Sequence, residues 1–183
     1  MLEQEMKIPV PSLAPVRKAL ARAGAQLKQP ESFEDNSVLD DDARSLAASG
    51  CLLRLRRFGE TNLLTFKGPA RFATGVKSRT EFEIAVTDAD QAVAMFAALG
   101  FRPVRRYQKR RECWRLDDTM IALDTTPLGP FVELEGDGVT LAGVAARLGL
   151  DPARAVTSTY LDLWTGYRAA HPEAPVDMVF PDS

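Results

Sequence analysis

The chain has 183 residues, of which 45% are hydrophobic and 26% are charged, and its formal net charge is −2. This composition predicts a single globular domain over residues 1–183, and it excludes disordered, fibrous and membrane-spanning proteins because no apolar run approaches the roughly 20 residues of a transmembrane helix. The slightly acidic balance also argues against a nucleic-acid partner, and the acidic N-terminal sequence, without a leader pattern, predicts a cytoplasmic protein with no membrane partner.

Alternating apolar and charged residues, the pattern of a two-faced β-strand, recur along the chain. In the first such segment, Glu3, Glu5 and Lys7 share one face. The predicted strands, in chain order, are Leu2–Ile8, Ser32–Val38, Cys51–Arg56, Leu63–Lys67, Lys77–Ala85, Lys109–Leu116, Met120–Thr125 and Phe131–Glu135. Eight antiparallel strands readily close into a barrel.

Helical patterns with capping signals fall between and after these strands, and Ser12 and Asp88 are predicted N-caps. The predicted helices are Leu13–Ala23, Ala89–Leu99, Leu141–Leu148 and Thr159–Ala169, with Pro152 in the first turn of a short additional one. The predicted fold class is therefore α+β, with a core over about residues 2–165 and a polar tail over 170–183.

The two-faced strands leave two arrangements open. A conventional barrel buries the apolar face and exposes the charged face to water. In the alternative, helices cover an outer apolar face and the charged face lines a central tunnel, where cations need carboxylates, metal ions or a polyanion to compensate them. Most of the Lys and Arg residues fall between Arg54 and Arg115, which favours a compact anionic ligand bound by the middle of the chain.

A series of short motifs carries a resemblance to a known family. The motifs are Glu3-x-Glu5-x-Lys7, Leu-Arg-Leu-Arg at 53–56, Thr-Phe-Lys-Gly-Pro at 65–69, Ser-Arg-Thr-Glu-Phe-Glu at 78–83, Lys-Arg-Arg at 109–111, Leu-Asp at 123–124, Leu-Gly-Pro-Phe-Val-Glu-Leu-Glu at 128–135 and Thr-Tyr-Leu-Asp-Leu at 159–163. In this order they resemble the CYTH superfamily, also called triphosphate tunnel enzymes, over residues 2 to about 165.

This resemblance implies both a fold and an activity. The superfamily includes class IV adenylyl cyclases, thiamine triphosphatases and inorganic triphosphatases, and the chain looks most like the bacterial and archaeal class IV cyclase branch. The implied fold is an eight-stranded antiparallel closed β-barrel, a triphosphate tunnel with a charged interior and helices packed outside. The implied reaction is the metal-dependent conversion of ATP to cyclic AMP and pyrophosphate.

The basic residues of these motifs match the triphosphate-binding positions of the family. Arginine grips phosphate oxygens with a planar fork, whereas lysine adds a mobile point charge. Lys7 is expected to bind phosphate or, with a lowered pKa, to assist proton transfer. The expected substrate-binding residues are Lys7, Arg54, Arg56, Lys67, Arg79, Lys109 and Arg111, with Arg115 as an additional candidate.

Carboxylates on the same strand faces would repel a triphosphate, so their presence there calls for a cation. Oxygen-only ligands of this kind suit Mg²⁺ or Mn²⁺, which are the expected cofactors. The resemblance implies as metal ligands Glu3, Glu5, Asp124, Glu133 and Glu135, with Glu81 and Glu83 as additional candidates. Lys7, Glu5 and Glu135 are the expected catalytic residues.

Three functions remain open at this point. Besides the cyclase, the same tunnel serves an inorganic tripolyphosphatase or a nucleoside or thiamine triphosphatase if it directs water at a terminal phosphorus. Phe33 stands where thiamine triphosphatases carry a tyrosine, which argues against that activity. The third function is a non-catalytic module that binds polyphosphate or nucleotide, and either a monomer or a homodimer is compatible with a closed barrel.

Overall fold

In a computed structural model that describes residues 2–73 and 75–181, the strands form a single sheet in which all neighbours are antiparallel. The strands are β1 (Leu2–Pro9), β2 (Gln26–Asp40), β3 (Leu52–Phe58), β4 (Thr61–Lys67), β5 (Arg71–Ala73), β6 (Val76–Val86), β7 (Arg102–Leu116), β8 (Thr119–Thr126) and β9 (Gly129–Glu135). All eight predicted strands are present. β2 and β7 are longer than predicted because they pair with each other along almost their whole length.

The sheet closes on itself because β1 pairs with both β6 and β9. The order around the ring is β1-β9-β8-β7-β2-β3-β4-β6, and the three-residue β5 lies beside β6. At the closure, Glu5 lies opposite Lys77 on one side and opposite Glu135 on the other. The predicted eight-stranded closed barrel is therefore confirmed.

The helices pack outside this barrel. They are α1 (Ala14–Arg22), α2 (Ser45–Ala48), α3 (Ala89–Ala98), α4 (Gly138–Arg147) and α5 (Tyr160–Ala170), with a 3₁₀ turn at Pro152–Arg154. Asp88 caps α3 as predicted, but the N-cap of α1 is Leu13 rather than Ser12. No helix in the described part of the chain is long and apolar enough to cross a membrane.

The hydrophobic core lies between the helices and the outer face of the barrel. On β1 and β9, the outward-facing Met6, Ile8 and Leu134 are buried against Leu20 of α1 and Leu141 of α4. The charged residues of the same strands face inward. Of the two arrangements left open by the sequence, the structure therefore has the one with a charged tunnel. The helices bury the outer apolar face of β1 and β9, whereas Phe82 and Ile84 on the outer face of β6 stay exposed.

The segment after α5 packs against β7. The backbone N–H of Gln108 donates a hydrogen bond to the backbone carbonyl oxygen of Met178 at 2.8 Å, and the Met178 side chain is completely buried beside Tyr107. Residues 174–180, which lie within the predicted polar tail, thus contribute an apolar anchor to one end of the barrel.

Candidate functional site

The barrel encloses a charged cavity of about 160 Å³. Because side chains alternate along a strand, each strand of the ring sends every second residue inward. The charged lining residues are Glu3, Glu5, Lys7, Arg54, Arg56, Lys67, Lys77, Arg79, Glu81, Glu83, Lys109, Arg111, Glu133 and Glu135. Eight of these side chains are basic and six are acidic, so the cavity carries a formal excess of two positive charges.

Thirteen of the fifteen residues singled out in the sequence line this cavity, and two do not. Asp124 is completely buried in the barrel wall behind the lining. The Arg115 side chain is about half exposed and reaches back to Asp118 in the turn between β7 and β8. The inner face of β7 thus leaves the cavity before Arg115, which removes this residue from the candidate site.

One side of the tunnel, which we call the paired wall, holds three buried carboxylates that form ion pairs with three cations. It consists of Glu34, Asp124 and Glu133 with Lys7, Lys109 and Arg111. Arg111 donates through Nε to Asp124 Oδ1 at 2.7 Å and also pairs with Glu133. Lys109 Nζ lies 3.1 Å from Asp124 Oδ2. Two of the predicted metal ligands, Asp124 and Glu133, therefore orient the cations that face the cavity.

Glu34 supports the paired wall from inside the barrel and is completely buried. Its carboxylate lies 3.6 Å from Lys109, 3.7 Å from Arg56 and 3.8 Å from Arg111. Burial alone would raise the pKa of Glu34, but Lys109, Arg111 and Arg56 lower it well below its ordinary value. Glu34 is therefore a permanent anion that holds three cations in place.

Lys7 lies where the paired wall meets the N-terminus of α5. Its Nζ is 3.3 Å from Glu133 Oε1 and lies 4.1 Å from the centroid of the Tyr160 ring. The Tyr160 hydroxyl in turn donates to Asp124 at 2.8 Å. Burial would lower the pKa of Lys7, but Glu133 and Glu5 raise it above its ordinary value. A raised pKa keeps Lys7 a cation, which favours phosphate binding over the alternative of proton transfer.

The opposite side of the tunnel, which we call the acidic side, consists of Glu3, Glu5, Glu81 and Glu135 with Lys67, Lys77 and Arg79. Lys67 is shared by Glu3 at 2.5 Å and Glu81 at 2.7 Å, and Lys77 lies 3.1 Å from Glu5. The acidic side therefore has four carboxylates for three cations, whereas the paired wall has three carboxylates for three cations.

Within the described chain, Glu135 makes no ion pair with a Lys or Arg side chain, although it lies in this charged lining. Burial raises its pKa, and the neighbouring carboxylates of Glu3, Glu81 and Glu5 raise it further. The acidic side therefore carries negative charge that the cations of the chain do not fully balance.

This surplus of carboxylate fits a divalent cation. Glu3, Glu5 and Glu135 offer only oxygen donors, which is the ligand chemistry of Mg²⁺ and Mn²⁺. In residues 2–73 and 75–181, no group of three or more carboxylate, imidazole or thiol side chains is already arranged around a single point. A metal ion held by these three side chains would need Glu3 to release Lys67 and Arg79 and Glu5 to release Lys77, whereas Glu135 has no such partner to release.

Four residues of the site are absent from the sequence-based list: Glu34, Lys77, Tyr107 and Tyr160. Lys77 shares a strand face with Arg79 and Glu81, so strict alternation along β6 was a sufficient signal for it. Tyr107 precedes Lys109 on its face in the same way, and its hydroxyl accepts a hydrogen bond from Arg54 at 3.0 Å. Tyr160 comes from a helix, and strand alternation cannot identify it.

Comparisons with known proteins agree with this architecture. The sequence model of the CYTH domain matches residues 1–140. Adenylate cyclase CyaB of Aeromonas hydrophila is 29% identical over 158 residues, which cover 79% of this chain and 79% of that protein.

Solved structures show the same fold. An X-ray structure from Vibrio parahaemolyticus has a TM-score of 0.80 and 21% identity, covering 90% of this chain and 98% of that one. The protein HpAC1 from Hippeastrum, described as having a dominant triphosphatase activity, has a TM-score of 0.67 and 17% identity, covering 91% of this chain and 95% of that one. With a domain match over most of its length and this barrel, the chain belongs to the CYTH domain family.

Proposed function

We propose that this protein is a divalent-metal-dependent enzyme that acts on a triphosphate, and that its reaction converts ATP to cyclic AMP and pyrophosphate. The observation that carries this proposal is the closed barrel cavity, where eight cations face a cluster of carboxylates with an unpaired member, Glu135. An anion binder without a metal gains nothing from such a carboxylate, because Glu135 would repel the ligand.

The basic residues would bind the phosphates. A nucleoside triphosphate carries about four negative charges, and its transfer chemistry depends on positioning and charge stabilisation rather than on covalent catalysis. Arg54, Arg56 and Arg111 line the cavity with guanidinium groups, which form charge-assisted hydrogen bonds to phosphate oxygens. Lys7 and Lys109 lie deeper, against Tyr160, and both are almost fully buried. The paired wall thus offers the phosphates a set of cations whose positions are fixed before binding.

Glu3, Glu5 and Glu135 would hold Mg²⁺ or Mn²⁺ on the acidic side, and this assignment leaves Asp124 and Glu133 to orient cations. The bound ion would act as a Lewis acid that stabilises charge on phosphate oxygens. Once Glu3 and Glu5 turn to the ion, Lys67 and Lys77 are released toward the phosphates. Binding of the ion and of the triphosphate would therefore support each other.

In the proposed reaction, the ribose 3′-oxygen bonds to the α-phosphorus, and the bond from that phosphorus to the bridging oxygen breaks. Pyrophosphate leaves with its charge stabilised by the surrounding Lys and Arg residues, and the hydroxyl proton is released to water. Lys7 remains protonated throughout because of its raised pKa, so its contribution is electrostatic. The similarity to an adenylate cyclase over most of the chain favours this outcome over hydrolysis.

Product analysis tests the proposal. Purified protein is incubated with ATP, and separately with tripolyphosphate, in Mg²⁺, Mn²⁺ or chelator, and the products are separated by ion-exchange chromatography. We expect cyclic AMP and pyrophosphate from ATP with either metal and neither product in chelator. Orthophosphate release without cyclic AMP would make the protein a hydrolase, and metal-independent binding without any product would make it a binding module.

A further inference from the structure

The charged cavity continues into a second chamber of about 170 Å³. The two spaces share Glu5, Arg56, Arg111, Glu133 and Glu135 in their linings, so these five residues form a charged ring between them. Beyond the ring, the chamber is lined by Phe58, Cys113, Met120, Ile121 and Ala122. The tunnel therefore changes from charged to apolar within the length of one barrel.

This change follows from the sequences of three strands. On β3, Phe58 is the next inward residue after Arg56, and on β7, Cys113 is the next after Arg111. On β8, Ala122 lies opposite both Cys113 and Glu133, and Met120 lies opposite Glu135. The basic rows of β3 and β7 thus end in an apolar or sulfur-containing side chain at the same end of the tunnel.

The apolar end of this chamber is a poor binding site for a phosphate group. Beyond the ring of Arg56, Arg111 and the three carboxylates, the apolar walls exclude water and offer no strong donors to an anion, whereas they stabilise an aromatic ring by burial and by contacts with an aromatic side chain and with sulfur. An apolar cavity of roughly 150 Å³ holds a benzene ring in another protein, so this open chamber has room for a planar ring system.

We propose that this chamber binds the base of a nucleoside triphosphate whose phosphates occupy the charged cavity. The inference rests on the proposed function for the position of the phosphates, and it adds the site of the organic group. Phe58 would form a fixed wall of the base site because it is almost fully buried, whereas Met120, 39% exposed, would cover the base at the mouth.

The lining also determines which bases bind. Beyond the shared ring, the thiol of Cys113 is the sole polar side-chain group in the lining described for this chamber. A site that hydrogen-bonds its ligand rejects analogues far more strongly than an apolar pocket does. We therefore expect ATP, GTP and CTP to bind with dissociation constants within about 10-fold of one another.

Equilibrium binding in chelator, measured by isothermal titration calorimetry, tests the inference without turnover. The ligands are ATP, GTP, CTP and tripolyphosphate. The variant Ala122→Leu fills the chamber, Met120→Ser opens its mouth, and Met95→Ser on the exposed face of α3 is the control, because Met95 lies outside the tunnel. We expect Ala122→Leu to weaken ATP binding at least 10-fold and Met120→Ser several-fold, with tripolyphosphate binding changed less than 2-fold and the control unchanged.

Equal losses for ATP and tripolyphosphate in Ala122→Leu, unchanged ATP binding in both chamber variants, or binding of tripolyphosphate but not of ATP by the unmodified protein would each overturn the inference. A more than 100-fold preference for one base would contradict the apolar base site in the same way. If ATP fails to turn over with metal but binds through the chamber, the proposed enzyme activity is rejected and the base site stands. If ATP turns over but the chamber variants weaken ATP and tripolyphosphate binding equally, the base site is rejected and the proposed enzyme activity stands.

Discussion

The two sides of the tunnel differ in how their carboxylates are balanced. In the paired wall, Glu34, Asp124 and Glu133 form ion pairs with Lys7, Lys109 and Arg111, and the pKa of Glu34 and of Glu133 lies well below the ordinary value. On the acidic side, Glu3 and Glu81 share Lys67, and the pKa of Glu135 is raised. The cations of the chain balance the carboxylates of the paired wall, but they do not fully balance those of the acidic side.

This difference in charge balance points to different roles for the two sides of the tunnel. A buried ion pair keeps its partners in fixed positions, and removal of one partner leaves an uncompensated charge in the interior. Carboxylates gathered without enough cations cost stability, and such perturbed groups mark functional sites. The comparison therefore indicates that the paired wall fixes the geometry of the cations, and it supports the proposal that the acidic side exchanges its partners for a ligand.

Removal of the Glu135 charge should have the largest effect on activity. In Glu135→Gln we expect turnover of ATP with Mg²⁺ to fall on the order of 10³-fold, because a metal ion contributes several kcal/mol to charge stabilisation. Steady-state product analysis measures the loss. The exposed Glu60, in the turn between β3 and β4, provides the control variant Glu60→Gln.

The same variant should not lose stability in metal-free buffer. Because the folded-state pKa of Glu135 is raised, the folded state binds more protons than the unfolded state between the two pKa values, and the free energy of unfolding falls as the pH rises through that window. Glu135→Gln removes this loss, so its melting temperature at neutral pH should equal or exceed that of the unmodified protein. A steep fall in melting temperature would instead place Glu135 in the structural framework.

Disruption of the paired wall should cost stability rather than metal binding. In Glu34→Gln, Lys109, Arg111 and Arg56 lose their shared buried anion, and we expect a loss of about 3 kcal/mol in the free energy of unfolding, measured by urea denaturation. The neighbouring Asp35 pairs with the half-exposed Arg106, so Asp35→Asn should cost less than about 1 kcal/mol. Equal losses in the two variants would remove the distinction.

Loss of a single tunnel cation should weaken substrate binding more than it affects the fold. We expect Arg56→Ala to raise the KM for ATP about 10- to 100-fold, because hydrogen bonds to charged groups are worth about 1.5–3 kcal/mol. Arg57 follows in sequence but faces outward to Asp90, and Arg57→Ala should leave the KM unchanged. An unchanged KM in Arg56→Ala with a large fall in melting temperature would assign Arg56 a structural role.

The smallest effect is expected for the Tyr160 hydroxyl. Tyr160→Phe removes its hydrogen bond to Asp124, while Lys109 and Arg111 still compensate that carboxylate. We expect a loss of about 1 kcal/mol in stability by urea denaturation. A turnover loss above 100-fold at unchanged stability would contradict this view and make Tyr160 a catalytic residue.

Alternation along the strands predicted most of this molecule. Because the side-chain period of a strand is two, the motif Glu3-x-Glu5-x-Lys7 already placed three tunnel residues on one face, and Arg54 and Arg56 followed the same rule. The strand count predicted a closed ring, but it left open which face lies inside, and the resemblance to the CYTH superfamily implied the tunnel with helices outside.

Alternation could not predict which carboxylate forms an ion pair with which Lys or Arg side chain. Partners across a barrel depend on strand tilt and stagger, so Glu3 on β1 pairs with Lys67 on β4, two strands away around the ring. The sequence also does not show whether an inward-facing side chain lines the cavity or is buried in the barrel wall. Asp124 shares its face with the lining residues, yet Lys109, Arg111 and Tyr160 enclose it in the wall.

Closure of the ring through β1 also has a kinetic consequence. β1 stays without a partner until β6 is made, and it gains its second neighbour only with β9, more than a hundred residues later in the chain. Contacts between segments so distant in sequence slow folding. Lys7 receives its last neighbours, Ser158 and Tyr160, later still during synthesis. A nascent chain therefore cannot hold a completed tunnel until its α5 segment has left the ribosome.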